Sequence, residues 1–311
     1  MKTYDTTLAN VDWLHAGAEQ LLSFTNIINV IGLKLTLDGF VSGGVSQPAF
    51  TPGTSSVDGP SSPGELPVYG IAAATAAATL AVTFAACGGA PADHTAYLGG
   101  LGDLPPSVLP AWFSEPPNAL SLPTWVIHVS SLLEWLVAMG LVWRIGLASG
   151  NPRWKGLTWA MIPSHSSGVA ACAYHIFYNA PDLQFVVLLQ AALTLLGNCT
   201  LAFAAYRLAS SNGWVMPLVG SKADDAAPPV TAICEAPQPV DTAAGGLEGL
   251  ALVCAWSVLG SYLLKYAGAA LPITHEAPGW AALLLIGGLT SFNVWKWNER
   301  SQAAGDFEGL I

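Results

Sequence analysis

Five ionisable side chains fall inside apolar stretches of this sequence: His128, Glu134, His165, His175 and Lys265. Charged or titratable groups at membrane depth are costly and are functional suspects by default. A neutral imidazole offers a nitrogen lone pair to a metal, and a carboxylate can join it as an oxygen ligand. His128, His165, His175 and Glu134 therefore have the donor types for a Zn or Fe centre. Ser131 and Ser167 stand close enough in sequence to orient such ligands. Glu134, Lys265 and the helix-disrupting Pro163 also make a substrate path conceivable for a small transporter. His15, His94 and His275 receive no role.

Spacing sorts these residues by depth. At about 1.5 Å rise per residue, His128 and His175 lie near the same end of their helices and share one layer. Glu134, about 15 Å deep, and His165, roughly 12 Å from the opposite end, share another. One metal needs ligands at about 2 Å, so two layers about 10–15 Å apart argue against a single centre using all four. Lys265 is about 9 Å from its helix end and is expected to reach along its stem toward Glu276 or Asp182.

The elements that position these residues follow from composition. The chain has 311 residues, 52% hydrophobic and only 10% charged. A soluble domain is about a quarter charged, so a water-soluble globular protein is excluded. The net charge of −10 argues against nucleic acid as a partner. About 20 apolar residues cross a bilayer core. Qualifying runs are Val68–Cys87, Thr124–Leu147, Leu157–Tyr178, Leu183–Leu208, Leu247–Leu271 and Trp280–Trp297. Leu21–Leu35 reads as too short and polar to span, hence as an interfacial or re-entrant helix. The expected fold class is all-α: a polytopic integral membrane protein of about six transmembrane helices plus a short N-terminal interfacial helix. Its expected regions are an N-terminal segment 1–67, a four-helix unit 68–209, a flexible linker 210–246, and a two-helix unit with tail 247–311.

Placing the bases one at a time orients this bundle. Arg144, Arg153, Lys155, Arg207, Lys222, Lys296 and Arg300 fall on one side, with Lys2 and Lys34 if Val68–Cys87 spans. The positive-inside rule then puts both termini on the cytoplasmic or stromal side. Each helix also carries a small-polar stripe suited to close packing and interhelical hydrogen bonds: Gln190, Thr194 and Gly197; Cys254, Ser257 and Ser261; Thr290, Asn293 and Trp297. The cysteines form no CxxC pair and read as small apolar thiols. The N-terminus lacks the pattern of a signal or transit peptide.

Four strings carry a family likeness: LPTWVIHVSSLLEW (Leu122–Trp135), NPRWKGLTWAMIPSHSS (Asn151–Ser167), ACAYHIFYN (Ala171–Asn179) and LQAALTLLGN (Leu189–Asn198). The stretch 122–208 resembles the Ycf49-like family of cyanobacterial and plastid membrane proteins. YLLKY and FNVWKWNERS extend the likeness into 247–301. The resemblance implies a thylakoid membrane protein and carries no established catalytic residues. It points to an accessory or assembly subunit of a photosynthetic membrane complex, photosystem I before photosystem II, rather than an enzyme. Expected partners are photosystem or light-harvesting proteins and the lipid bilayer. Chlorophyll and carotenoid are the implied cofactors, with lipids. His128, His175 and then His165 are the candidate ligands to chlorophyll magnesium, with Glu134, Trp125 and Trp135 beside the pigment. The turn bearing Asn151, Trp154 and Lys155 is the expected partner contact. An intramembrane metal-dependent enzyme or a small transporter, using His128, Glu134, His165 and His175, remains the alternative.

Overall fold

The computed structural model describes residues 7–43, 102–116, 118–211, 235–242, 247–303 and 305–307. These residues are all-helical, with no strand among them. The α-helices among them are α1 (Asp12–Val41), α2 (Leu122–Ser149), α3 (Arg153–Ala160), α4 (Ile162–Ile176), α5 (Gln184–Ser211), α6 (Leu247–Ala269), α7 (Pro272–Glu276) and α8 (Gly279–Gln302). Among the described residues, four helices are long and apolar enough to cross a membrane: Asp12–Val41, Leu122–Ser149, Pro181–Ser211 and Gly249–Ala269. The span expected at Val68–Cys87 lies outside the described residues.

Among the described residues, the helices differ from the expected spans in three places. The N-terminal helix is not short: α1 runs for 30 residues. Its polar residues had argued against a span, but they face a neighbouring helix. Ser23 Oγ lies 3.0 Å from Ser130 Oγ, and Asn26 Nδ2 donates to Ser131 Oγ at 3.2 Å. The run Leu157–Tyr178 is not one helix. It breaks at Met161 into α3 and α4, because Pro163 sits in the first turn of α4, where its missing N–H costs least. Thr200 Oγ1 of α5 donates to the Ala160 carbonyl at the break (2.8 Å). With 15 residues, α4 rises only about 22 Å, less than a bilayer core of about 30 Å. Finally, α8 has the length but is not among the four apolar candidates.

Helix α2 is the centre of the bundle. Its residues 137–147 are all buried, as a helix surrounded by others must be. α1 and α6 pack against it, α4 packs against α5 and α8, and α3 packs on α2 and α5. Small residues permit the closest approaches. A Cβ on Gly168 of α4 would stand 2.8 Å from Leu132 Cδ2 of α2. A Cβ on Gly197 of α5 would stand 2.8 Å from the Ser164 backbone nitrogen. The expected stripes fill these seams. Ser167 Oγ meets Thr194 Oγ1 at 2.6 Å, and Thr290 Oγ1 donates to Ser166 Oγ at 2.9 Å. Ser257 and Ser261 are buried. Cys172 is buried as an apolar thiol, but Cys199 and Cys254 are exposed.

α1 and α2 run in the same direction, since Asp12, Ser23 and Asn26 meet Ser121, Ser130 and Ser131 in order. Asp12 and Asp306 therefore lie at opposite ends of the bundle, and the expectation of both termini on one side is corrected. The two ends of the bundle are closed differently. At the α2 C-terminus, buried Arg144 pairs with Asp306 (3.2 Å) and donates to the Phe307 carbonyl (3.0 Å). Part of the expected linker docks here: Glu235 N donates to the Gly150 carbonyl and Asp241 N to Asp306. At the other end, Lys265 pairs with Glu115 at 2.7 Å and Asp103 at 3.7 Å. The expected partners Glu276 and Asp182 are replaced by carboxylates of the segment before α2. That segment folds back over α6, with Tyr262 donating to the Gly102 carbonyl at 2.7 Å. Burial raises the Glu115 carboxyl above its ordinary range, while the Lys265 hydrogen bond and charge oppose that rise.

Candidate metal centre

Near the end closed by Lys265, three histidines converge. His15 comes from α1, His128 from α2 and His175 from α4. One ring nitrogen from each lies within 4.8 Å of the others, and all three residues are buried. His128 Nε2 and His15 Nε2 are 3.0 Å apart. Ring centroids stand 4.9 Å apart for His15–His128 and 4.8 Å for both His15–His175 and His128–His175.

The chain around His175 fixes which nitrogen it offers. α4 ends with Tyr178 and Asn179 at φ 51 and φ 55. Asn tolerates this left-handed backbone better than most residues. Asn179 N then bonds back to the Tyr174 carbonyl at 3.0 Å, and the Asn179 side chain returns onto His175 one turn earlier. The Asn179 amide nitrogen donates to the Ala9 carbonyl (3.0 Å) and Asn10 Oδ1 (2.8 Å). Its oxygen therefore faces His175 Nδ1 at 2.7 Å, and Nδ1 must carry the proton. The Nε2 lone pair is left for a ligand, the arrangement that second-shell partners impose on metal-binding histidines.

Asp12 supplies charge. Its Oδ1 accepts from Ser121 N at 3.0 Å and from Thr124 Oγ1 at 2.7 Å, which anchors α1 to the N-terminus of α2, where an anion is favoured. Asp12 Oδ2 and His15 Nδ1 are both buried without a hydrogen-bond partner. A negative charge one turn from His15 complements a cation. Trp125 is buried beside the cluster, its ring 6.5 Å from that of His175.

Three imidazoles are the donor set of a tetrahedral site with one further position. At about 2.1 Å from a common ion, their nitrogens would stand about 3.4 Å apart. The observed separations, from 3.0 Å to a maximum of 4.8 Å, bracket that value. The donors fit zinc, iron or copper, and a hard magnesium or calcium ion poorly.

Of the sequence candidates, His128 and His175 are thus brought together, and Glu134 and His165 are not part of their cluster. His165 Nδ1 lies 3.3 Å from Asn293 Nδ2 of α8. Glu134 is buried beside Ser23, Asn26 and Ser130, and its Oε2 has no hydrogen-bond partner. With Trp135 it lines a groove of about 500 Å³. Ser131 and Ser167 serve helix contacts rather than the histidines. The turn proposed for partner contact is engaged within the chain. Asn151 is buried, and its Oδ1 accepts from Arg153 N at the start of α3 at 3.0 Å. Trp154 packs on the core, and Lys155 reaches Glu235 at 3.6 Å. His15 had no role on sequence grounds. Its signal was the spacing of Asp12 and His15 at i, i+3, which places both on one face of α1.

Residues 119–207 match the family described as Protein of unknown function (DUF2499), and residues 1–38 match Protein of unknown function (DUF3593). The cluster draws His15 from the second match and His128 and His175 from the first. A Ycf49-like protein of Synechocystis sp. is 48% identical over 89 residues, covering 29% of this chain and 86% of that relative. An uncharacterized protein ycf49 of Cyanophora paradoxa is 36% identical over 87 residues, covering 28% of this chain and 85% of that relative. No solved structure matches the chain. The four helices of membrane-crossing length suit a membrane location. With most of the Synechocystis protein's length aligned at that identity, the chain belongs to the Ycf49-like family.

Proposed function

We propose that this protein is a membrane-embedded metal-binding protein in which one transition-metal ion, held by His15, His128 and His175, ties α1 to α2 and α4. The carrying observation is the convergence of three buried ring nitrogens within 4.8 Å from three separate helices. The protein's contribution is to orient Nε2 of His175 through Asn179 and to hold Asp12 near the ion. The ion would supply a Lewis-acidic crosslink. The three rings stand with centroids less than 5 Å apart, which leaves room for an ion rather than a macrocycle between them and favours an ion over pigment magnesium at His128, His175 and His165.

The setting in this proposal is the thylakoid or cyanobacterial photosynthetic membrane, with the basic end on the stromal or cytoplasmic side. There the protein serves as an accessory or assembly subunit, with photosystem I the first partner to test. Support comes from the likeness to the Synechocystis and Cyanophora proteins and from the membrane-length helices.

The test is elemental analysis of the full chain purified in mild detergent. About one zinc, iron or copper per chain is expected, lost in His15→Ala and kept in His165→Ala. Absence of stoichiometric metal, or equal loss in both variants, overturns the reading. Co-migration with photosystem subunits in native gels tests the setting separately.

A further inference from the structure

A cavity of about 820 Å³ lies at the opposite, basic end of the bundle, between α3 and α5. Asn151, Arg153, Trp159, Phe203, Arg207 and Ser210 are among its lining. Asn151 is 1% exposed and its Nδ2 has no hydrogen-bond partner. Ser210 Oγ is likewise buried without one. A buried donor lacking a partner is costly, and both of these line one space. Neither Arg153 nor Arg207 forms an ion pair among the described residues. The Arg207 guanidinium instead lies 5.8 Å from the Phe203 ring. Thus two arginines, an asparagine with an unpartnered amide nitrogen and a serine with an unpartnered hydroxyl line one cavity. Its remaining walls carry indole and phenyl rings at a membrane helix end, where aromatic side chains mark the interface.

We propose that this cavity binds the phosphate of an anionic lipid headgroup. Guanidinium groups match phosphate oxygens in charge and geometry, and basic pockets between membrane helices take anionic headgroups. The Asn151 amide donates to the same oxygens. Its Oδ1 is already committed to Arg153 N, so Nδ2 is the atom left for a ligand. A pocket of this size suits a headgroup with the start of its chains, and the aromatic walls receive the apolar part. The proposal rests on no part of the metal centre.

The test uses the full chain in detergent with added phosphatidylglycerol, phosphatidylcholine or inorganic phosphate, read by thermal shift and native mass spectrometry. Phosphatidylglycerol should raise the melting temperature and remain bound, with phosphatidylcholine inert. Arg153→Gln with Arg207→Gln should weaken binding at least tenfold, while Lys296→Gln, elsewhere on the same end, should not. Asn151→Asp keeps the acceptor for Arg153 N, replaces the donor with a negative charge and should also weaken binding. An equal shift with inorganic phosphate alone, lost in the double variant, keeps the phosphate contact but overturns the lipid as its source. Equal response to both lipids, or binding unchanged in the double variant, overturns the site.

Discussion

His15 and His128 meet Nε2 to Nε2 at 3.0 Å across two helices that run side by side in one direction. They are 113 residues apart in sequence. Two neutral imidazoles can hold this contact with a single proton between them. An ion between them replaces that proton and adds His175 as a third donor.

Asn179 is the group that selects the donor atom. Asn179→Ala should lower metal affinity about 10–100-fold, the usual cost of losing an outer-shell partner. Competition with a chromophoric chelator measures it. Affinity equal to the unaltered protein would mean that His175 is oriented by something else.

Metal retention should depend on pH in one direction. Protons compete for the ligand nitrogens, so affinity falls, and never rises, as the pH drops. Dialysis at a series of pH values followed by elemental analysis gives the curve. Retention that rose as the pH fell would exclude histidine ligation.

Gly197 tests the seam between α4 and α5. Alanine is the better helix former by about 1 kcal/mol. Its Cβ would, however, stand 2.8 Å and 3.1 Å from the Ser164 nitrogen and Cα, and backbone does not yield like a flexible side chain. Overpacking of about 1–3 kcal/mol should win. Thermal unfolding of Gly197→Ala should therefore show a net loss; a gain would mean the seam can open.

Asp306 holds the basic end together. It pairs with Arg144, which is fully buried, and accepts from Asp241 N. Removing one partner of a buried pair costs about 3–5 kcal/mol. Asp306 is partly exposed, so Asp306→Ala should cost less, about 2 kcal/mol, and should speed proteolysis within 235–242. Arg144→Met removes the buried charge itself and should be better tolerated. Equal stability of Asp306→Ala would show that the pair contributes little.

Composition and periodicity made the helical membrane architecture legible, together with the polar stripes on α5, α6 and α8. Depth along the helices put His128 and His175 in one layer, and their rings are neighbours. His15 was not legible for a specific reason. Ser23, Asn26, Asn29 and Lys34 lowered the apolar character of α1, and the first two of these bond to α2 while Lys34 pairs with Asp38 along its own helix. Hydropathy counts such residues as exposed because it cannot see a partner more than 100 residues away. The break at Met161 carried a signal in Pro163, but a continuous apolar run concealed it. Lys265 was assigned the wrong carboxylates because helix position says nothing about a loop that folds back, as the one bearing Asp103 and Glu115 does.

The same-direction pairing of α1 and α2 also bears on the order of synthesis. α1 leaves the ribosome before α2, carrying Asp12, His15, Ser23 and Asn26 on the face that α2 later covers. Until α2 emerges, those groups have no interhelical partner, and lipid offers them no hydrogen bonds. The first helix should therefore wait at the insertion machinery or at the membrane surface, and settle at its final depth only with α2. Biogenesis, more than the finished bundle, is then the stage at which substitutions on this face of α1 should do most harm.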